Sequence, residues 1–357
     1  MRPYRPGRPA EEVRRERGLE EVVKLASNEG PFPPMPGALE AMRAAAGEVN
    51  LYPDGAAWGL RGALAERLDV APEAILTGAG IDGLINVVVA ATLGPGDVMA
   101  IGWPSFVSWP LRARVIGSTV REVPLGADGA FDLEALAGAV DEATRLVVVV
   151  SPNNPTGGAV SAAALERFLD ALPADVLPVV DEAYFEYLPP GGHDAVALLR
   201  AGRPLLAMRT FSKAYGLAGL RVGYAVGPVD LIARLGAVRN AFDVNAVAQA
   251  AAIASLAEAP DHLPARLAET AAERAALAGG LRALGLSPLP STANFVLVEL
   301  GEERAAAVNE SLLDQGVIVR PAGPFGAPGA LRISVGRPHE NARLLAAMGA
   351  ALAAAPA

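Results

Sequence analysis

At 357 residues the chain can form one large domain with a smaller satellite, or two domains, and either can bury a substantial core. Its formal charge of -9 argues against a nucleic-acid surface, which normally needs a basic patch. Hydrophobic residues make up 52% of the chain, yet no uninterrupted apolar stretch reaches the roughly 20 residues of a membrane-spanning helix.

Cysteine and histidine usage narrows the setting further. The chain has zero cysteines, which excludes disulfides and thiolate metal sites. The three histidines, His193, His262 and His339, lack metal-ligand spacing. The N-terminal string MRPYRPGRPAEEVRRERG lacks the apolar core of a secretory signal. We expect a cytoplasmic protein with no metal, no nucleic-acid partner and no membrane.

The first two thirds of the chain predict an α/β sheet. The string PFPPMPG, within the N-terminal 47 residues, is too proline-rich for regular structure and is expected to wrap onto a second domain. Short apolar runs then alternate with alanine- and leucine-rich helical segments, and each run is followed by loop residues. The predicted strands are 98–102, 146–150, 176–180, 205–208 and 222–226.

A change of pattern near Val247 predicts a second domain. A long alanine-rich helical stretch is followed by NFVLVEL, GVIVRP and LRISVG, which resemble three strands of a smaller sheet. The expected division is a large domain over 48–246, with 1–47 and 247–357 forming the N-terminal segment and a small C-terminal domain.

Two strings could contact a flat, phosphorylated ligand. In LTGAGIDGLINVVVAATL a glycine turn opens an apolar helix, so its first backbone N–H groups, at residues 80–82, could bind phosphate. The same string also suits a tight loop with Asp82 as a helix cap. Phe106, in WPSFVSWP, could stack on a heterocycle or belong to the core.

Polar residues follow the next two strands. Asn153 and Asn154, in SPNNPTG, could bind a ligand oxygen or form an ordinary asparagine turn. Asp181, in DEAYFEY, could pair with a protonated pyridine nitrogen or cap the next helix. Tyr184 could reach a ring hydroxyl.

The string RTFSKAYGLAGLRVGY carries the most specific chemistry. Lys213 follows an apolar run and could form a Schiff base with an aldehyde. Ser212 and Arg221 supply a hydroxyl and a cationic fork suited to phosphate. An aldehyde that carries a phosphate suggests pyridoxal phosphate.

In order along the chain, these motifs resemble the histidinol-phosphate aminotransferase family, class II-type pyridoxal-phosphate enzymes of fold type I. The resemblance also covers RPYRPGRP, KLASNEGPFPPMPGALEAM, LYPDGAAWGLRGALAERL and GVIVRPAGPFGAPGALRISVG. It implies a large domain with a mostly parallel, mixed sheet sandwiched by helices, and a smaller α+β domain. It also implies ping-pong transamination from histidinol phosphate to 2-oxoglutarate, giving imidazole-acetol phosphate and glutamate.

The resemblance also assigns roles. Lys213 holds the cofactor aldehyde, Asp181 the pyridine nitrogen, and Asn154 with Tyr184 the ring hydroxyl. Ser212, Arg221 and the backbone at Ile81 and Asp82 are expected to bind the phosphate. Phe106 is expected to cover one face of the ring.

Further residues match groups around the substrate and across a homodimer. Tyr52, in the YPD string, is expected to reach the partner's cofactor phosphate. Arg332 matches the arginine directed at the substrate's acidic end, with Arg320, Tyr4 and Asn28 around it. On the strand pattern alone, Arg320 could equally face solvent.

Departures from the family keep other functions open. The phosphate turn reads GAGIDG where relatives commonly have GNGSDE. In VRNAFDVN, Ala241 and Asp243 replace a proline and an asparagine; Asp243 is expected near the substrate, where it would repel a phosphate, or as a helix cap. The alternatives are an aromatic or broad-range aminotransferase, a threonine-phosphate decarboxylase, and a cofactor-binding regulator, which the acidic balance disfavours.

Overall fold

The helices and strands of a computed structural model, which describes residues 7–355, largely follow the apolar runs of the sequence. The strands are β1 (Val23–Lys24), β2 (Ile75–Gly78), β3 (Val98–Trp103), β4 (Thr119–Pro124), β5 (Thr144–Val150), β6 (Leu177–Asp181), β7 (Leu206–Thr210), β8 (Gly223–Val226), β9 (Phe295–Glu299), β10 (Val317–Ile318), β11 (Arg320–Pro321) and β12 (Ala330–Ser334). The α-helices are α1 (Ala10–Arg17), α2 (Pro36–Ala45), α3 (Trp58–Leu68), α4 (Gly80–Thr92), α5 (Ser108–Val115), α6 (Leu133–Gly138), α7 (Ala162–Ala171), α8 (Ala195–Arg200), α9 (Val229–Val238), α10 (Ala246–Ala283), α11 (Glu302–Asp314) and α12 (Pro338–Ala354).

The main sheet has seven strands in the order β2-β8-β7-β6-β5-β3-β4. Neighbouring strands from β4 to β7 pair in parallel, whereas β8 is antiparallel to both β7 and β2. The predicted α/β class with a mostly parallel, mixed sheet is therefore confirmed.

Strand direction brings several loops to one edge of this sheet. Because β8 is antiparallel to both of its neighbours, β2 runs in the same direction as β7 and the other parallel strands. The carboxyl ends of β2, β3, β5, β6 and β7 thus share an edge with the start of β8. Ligand sites in α/β proteins lie at such an edge.

Central strands are apolar because helices cover both faces of the sheet. The residues of β5 from Leu146 to Val150 are all buried, as expected for a parallel strand with no solvent face. Helix α4 adds Leu84, Ile85 and Val88, each with no exposed surface. These side chains belong to one core shared by sheet and helices.

The smaller sheet differs from the prediction in one string. Strands β11, β12 and β9 form an antiparallel sheet, but GVIVRP, expected as one strand, is divided at Val319 into β10 and β11. Strand β10 pairs in parallel with β1 of the N-terminal segment, and β11 pairs with β12. The string is divided because its two halves pair with different strands, one in parallel and one antiparallel.

Prolines lie at the start of one helix and in the interior of another. Pro36, inside the string expected to lack regular structure, is the first residue of α2, where a missing N–H costs nothing. Pro260 and Pro264 lie inside α10, a helix of 38 residues that reaches from the main core to the core of the smaller sheet.

The division of the chain into domains at residues 47 and 246 stays a prediction.

None of the helices in the described part of the chain combines the length and apolar character needed to cross a membrane.

A buried ion-pair cluster lies beneath the shared strand edge. Glu182 follows β6 directly, and its carboxylate accepts from Arg209 Nε of β7 at 2.8 Å and from Ala195 N of α8 at 2.9 Å. Arg209 Nη2 also donates to Asp194 Oδ1 at 2.7 Å. The cluster ties β7 to the end of β6 and to α8.

Removing the Glu182 charge leaves the buried Arg209 with only Asp194, a partly exposed carboxylate, as its ion-pair partner. We expect Glu182→Gln to lower the free energy of unfolding by about 3 to 5 kcal/mol. The matched control is Asp170→Asn, since Asp170 pairs with Arg203 at the surface; an exposed pair contributes ~1 kcal/mol or less. Urea unfolding of both variants makes the comparison, and equal, small losses would contradict the assignment.

Candidate active site

Most of the predicted site residues line one cavity of about 280 Å³ at the shared strand edge. Those present are Asn28, Ile81, Asp82, Phe106, Asn154, Asp181, Tyr184, Ser212, Lys213, Arg221, Arg320 and Arg332. Tyr4 lies outside the described residues, and Tyr52 lies elsewhere on the surface.

Lys213 lies on the turn after β7, under the N-terminal segment. Its Nζ is 3.4 Å from the Ser27 carbonyl oxygen and 5.6 Å from the centre of the Tyr184 ring. Burial, followed by the nearby Arg332 charge, lowers the pKa of Lys213 to about 8. About one tenth of this amine is therefore neutral at pH 7, far more than for an ordinary lysine.

A glycine lets the N-terminal segment lie directly on this turn. A Cβ at Gly30 would be 2.6 Å from the Lys213 carbonyl oxygen, closer than real Cβ contacts allow. Gly216, with a φ of +74°, faces the Phe32 carbonyl oxygen in a similar way. The glycine in the string NEGP thus allows the N-terminal segment to pack closely over the lysine turn.

Asp181 supplies a buried carboxylate at the end of β6. Its Oδ2 accepts from Trp109 Nε1 at 3.0 Å, and its Oδ1 accepts from Ala183 N at 3.2 Å. Burial raises the pKa of Asp181 to about 6, while the Trp109 hydrogen bond acts in the opposite direction. The group is mostly ionised at neutral pH and suited to a cationic partner.

The two asparagines after β5 have different tasks. Asn153 is fully buried: its Oδ1 accepts from Ser105 Oγ at 2.8 Å, and its Nδ2 donates to Thr156 Oγ1 at 2.8 Å. These bonds hold the turn together. Asn154 lines the cavity, where its Oδ1 accepts from Arg332.

Tyr184 is held on the side of the cavity where the N-terminal segment lies. Its hydroxyl accepts from Asn28 Nδ2 at 2.9 Å, and Asn28 Oδ1 accepts from Ser334 Oγ at 3.0 Å. Its ring meets Phe295 edge to face. The hydroxyl is therefore fixed in position by residues from three parts of the chain.

The opposite end of the cavity combines a helix N-terminus with a cation. Gly80 has a φ of +70°, and a Cβ there would be 2.7 Å from Arg221 Nη2. Arg221 Nη2 is 3.8 Å from Asp82 Oδ2, and Ser108 Oγ donates to Asp82 Oδ1 at 2.6 Å. With the Ser212 hydroxyl nearby, these groups can bind an anion.

A second cationic region lies at the smaller sheet. Arg320 and Arg332 are opposite each other in the pairing of β11 with β12, and both are buried. The alternative that Arg320 faces solvent is therefore wrong. The Arg332 guanidinium lies 5.0 Å from the centre of the Phe325 ring, and its Nη2 donates to the Ala26 carbonyl oxygen at 2.7 Å.

Of the two roles expected for Asp243, substrate contact or helix cap, the structure shows a carboxylate bound to a helix N-terminus. Its Oδ2 accepts from the backbone N of Ala79 at 2.9 Å, at the start of α4. Within the described chain it lines a neighbouring cavity with Asp82 and Arg221, away from Lys213. Asp243 does not line the cavity of Lys213, because its carboxylate binds the N-terminus of α4. Asn245, two residues further on, is the N-cap of α10.

Sequence reasoning missed Trp109 and Phe325. Trp109 bonds Asp181, and Phe325 lies beside both arginines of the smaller sheet. The spacing of three residues between Phe106 and Trp109, which one backbone turn joins, was an available signal for Trp109. Phe325, in a loop without periodicity, offered none.

Residues 20–348 match the family model for aminotransferase class I and II. The chain belongs to this family. The aminotransferase scaffold explains why lysine, aspartate, asparagine and arginine converge on one cavity from separate strands.

Individual relatives agree with this membership. The chain is 44% identical to a histidinol-phosphate aminotransferase of Anaeromyxobacter sp. (strain Fw109-5), over 99% of this chain and 97% of the relative. It is 48% identical to an aromatic amino acid aminotransferase of Nocardia farcinica, over 91% and 90% of the two chains. The crystal structure of a Sinorhizobium meliloti histidinol-phosphate aminotransferase in complex with pyridoxal-5'-phosphate superposes with a TM-score of 0.90, at 32% identity, covering 98% and 95%. The predicted fold is thereby confirmed.

The lowered pKa of Lys213 predicts a pH-dependent stability in the cofactor-free aminotransferase. Between about 8, the folded value, and 10.5, the ordinary value, the unfolded chain binds more protons, so stability rises with pH. We expect wild type to gain roughly 2 to 3 kcal/mol over this range relative to Lys213→Met, which has no amine to titrate. Urea unfolding at several pH values measures the difference, and parallel profiles for the two proteins would refute it.

Proposed function

We propose that the protein is a pyridoxal-phosphate-dependent aminotransferase that takes its amino group from histidinol phosphate and passes it to 2-oxoglutarate. The observation that carries the proposal is the single cavity in which a lysine amine, a buried carboxylate and an anion-binding helix start come together. Each of these groups suits a different part of one cofactor.

The donor set fits pyridoxal phosphate. The ionised carboxylate of Asp181 suits a protonated ring nitrogen, and Asn154 and Tyr184 offer hydrogen bonds to a ring hydroxyl. Ser212, Arg221 and the backbone at Ile81 and Asp82 suit the phosphate, in the pocket that Gly80 keeps open. Phe106, which lines the same cavity, can cover one face of the ring.

When bound, pyridoxal phosphate supplies a ring that accepts electrons and so stabilises negative charge on the substrate Cα. Lys213 would hold the cofactor aldehyde, and its amine would move the proton at the substrate Cα. A pKa near 8 suits both tasks, because the amine is available in neutral and protonated forms near pH 7. Asp181 keeps the ring nitrogen protonated.

The arginines of the smaller sheet would bind the substrate's acidic end. Arg332 and Arg320 are buried at the cavity wall, where low polarity strengthens their attraction for phosphate or carboxylate. Histidinol phosphate and 2-oxoglutarate each bring an anionic group, so one cationic region can serve both halves of a ping-pong reaction. Asn28 would act near them by fixing Tyr184.

An aromatic amino acid aminotransferase is the second candidate. The Nocardia farcinica relative, which carries that name, is 48% identical to this chain. Its substrates would also bring an acidic group to the arginines, with an apolar ring in place of imidazole.

The donor half-reaction distinguishes the two candidates. The cofactor-loaded protein is mixed with a single amine, without acceptor, and the loss of its visible absorbance is followed. We expect histidinol phosphate to convert the cofactor with a higher kcat/KM than phenylalanine or tyrosine. Lys213→Ala is the control that should bind cofactor and stay unconverted. Preference for phenylalanine would move the proposal to the aromatic enzyme.

We further propose a homodimer in which Tyr52 reaches the partner's cofactor phosphate. Tyr52 is 82% exposed and its ring stacks on Phe242, while Trp58 nearby is 78% exposed. Apolar surface of this kind marks protein contacts. For the compartment we propose the cytoplasm, since a chain with zero cysteines has no disulfide framework.

Mixed dimers test whether Tyr52 serves its own site or the partner's. A Tyr52→Ala subunit is co-expressed with a Lys213→Ala subunit, and hybrids are purified by two different tags. If Tyr52 crosses the interface, both defects fall in one site and the other site is intact, so the hybrid should have about half of the wild-type activity. Hybrids no more active than the parent variants would show that Tyr52 acts within its own subunit.

A further inference from the structure

The indole of Trp109 is in direct contact with the carboxylate of Asp181. Trp109 is the second residue of α5 and is fully buried, and its Nε1–H donates to Asp181 Oδ2 at 3.0 Å. The two residues are 72 positions apart, so the bond joins α5 to the end of β6. A buried indole N–H usually finds an acceptor, but a carboxylate makes the bond stronger than a neutral partner would.

A backbone turn at the start of α5 connects Trp109 to Phe106 at the cavity wall. The Trp109 backbone N donates to the Phe106 carbonyl oxygen at 3.3 Å, so one backbone turn joins the two aromatic residues. Phe106 lines the cavity, whereas Trp109 is fully buried. The string WPSFVSWP thus provides one ring at the cavity wall and, behind it, a donor to the carboxylate.

Asp181 needs such a donor because its surroundings disfavour its negative charge. The aspartate is 1% exposed, and the carboxylates of Asp82 and Glu182 act on it with like charge. Burial raises the pKa of Asp181 to about 6, and the Trp109 bond is the largest influence in the opposite direction. The positive charge of the same cavity comes from Lys213, Arg221, Arg320 and Arg332.

We propose that Trp109 is a positioning residue, whose indole N–H keeps Asp181 ionised and fixes the direction in which its carboxylate faces the cavity. Two of the carboxylate's hydrogen-bonding positions are used by Trp109 and Ala183, and the remaining ones stay available to a protonated ring nitrogen. This inference rests on the proposed use of pyridoxal phosphate.

The test compares Trp109→Phe, which keeps an aromatic ring and loses the N–H, with Phe168→Leu. Phe168 is a buried residue of the same main core, on α7, and serves as the packing control. The dissociation constant of pyridoxal phosphate is measured on cofactor-free protein between about pH 6 and 9, together with the thermal midpoint. This span begins at the folded pKa of Asp181, about 6, and so covers the range into which a further rise of that pKa would move it.

Without the indole donor the pKa of Asp181 rises, so more of the carboxyl is neutral at low pH. We expect Trp109→Phe to bind the cofactor about tenfold more weakly near pH 6, the loss of one hydrogen bond to a charged group, and to approach wild type near pH 9. The packing control should keep the wild-type pH profile. Weakening that is the same at every pH, or no weakening, would overturn the proposal.

A second variant covers the case in which Trp109→Phe does not fold. Trp109→His retains a ring N–H, and protonation of the imidazole would strengthen its bond to the carboxylate, so cofactor binding near pH 6 should be at least as tight as in wild type; weaker binding near pH 6 than near pH 9, relative to wild type, in that variant would count against the proposal. Wild-type protein is the reference for the proposed function. If wild type fails to bind pyridoxal phosphate, the function fails, whereas wild-type binding with an unchanged Trp109→Phe profile rejects only the role of Trp109.

Discussion

The common edge at which the strands of the main sheet end is the constraint on which the site depends. Strands β2, β5, β6 and β7 run in one direction, so the residues that follow them must meet, whatever their distance in sequence. The antiparallel β8 starts at the same edge and adds Arg221, two residues before its first position. A parallel sheet thereby converts separate motifs into one cavity.

Burial of charge at this edge sets the chemistry of the site. The same low-polarity surroundings lower the pKa of Lys213 to about 8 and raise that of Asp181 to about 6. Both pKa values lie close to 7, that of Lys213 above it and that of Asp181 below it, which suits proton transfer and ring binding near pH 7. Beneath the edge, the Glu182–Arg209 cluster compensates its own charges and holds β7 against β6. The site is thus supported by ion pairs that lie outside the cavity itself.

Much of this arrangement could be predicted from sequence because strands and their terminal residues are local features. The runs that became β5, β6 and β7 are largely apolar stretches; Asp181 is the last residue of β6, and Lys213 lies on the turn just after β7. Contacts between distant residues carried no such signal. Trp109 reaches Asp181 across 72 positions, and the string GVIVRP is divided because its two halves have different partners in space. Asp243 looked like a residue of the substrate site until the position of the Ala79 N–H was known.

A crystal structure of the protein with pyridoxal phosphate would show which residue of the cavity holds each part of the cofactor. We expect the cofactor bonded to Lys213 Nζ, its ring nitrogen within hydrogen-bonding distance of Asp181, and its phosphate at the start of α4 beside Arg221. A cofactor bound in another cavity, or one turned so that its phosphate lies at Arg332, would contradict this expectation.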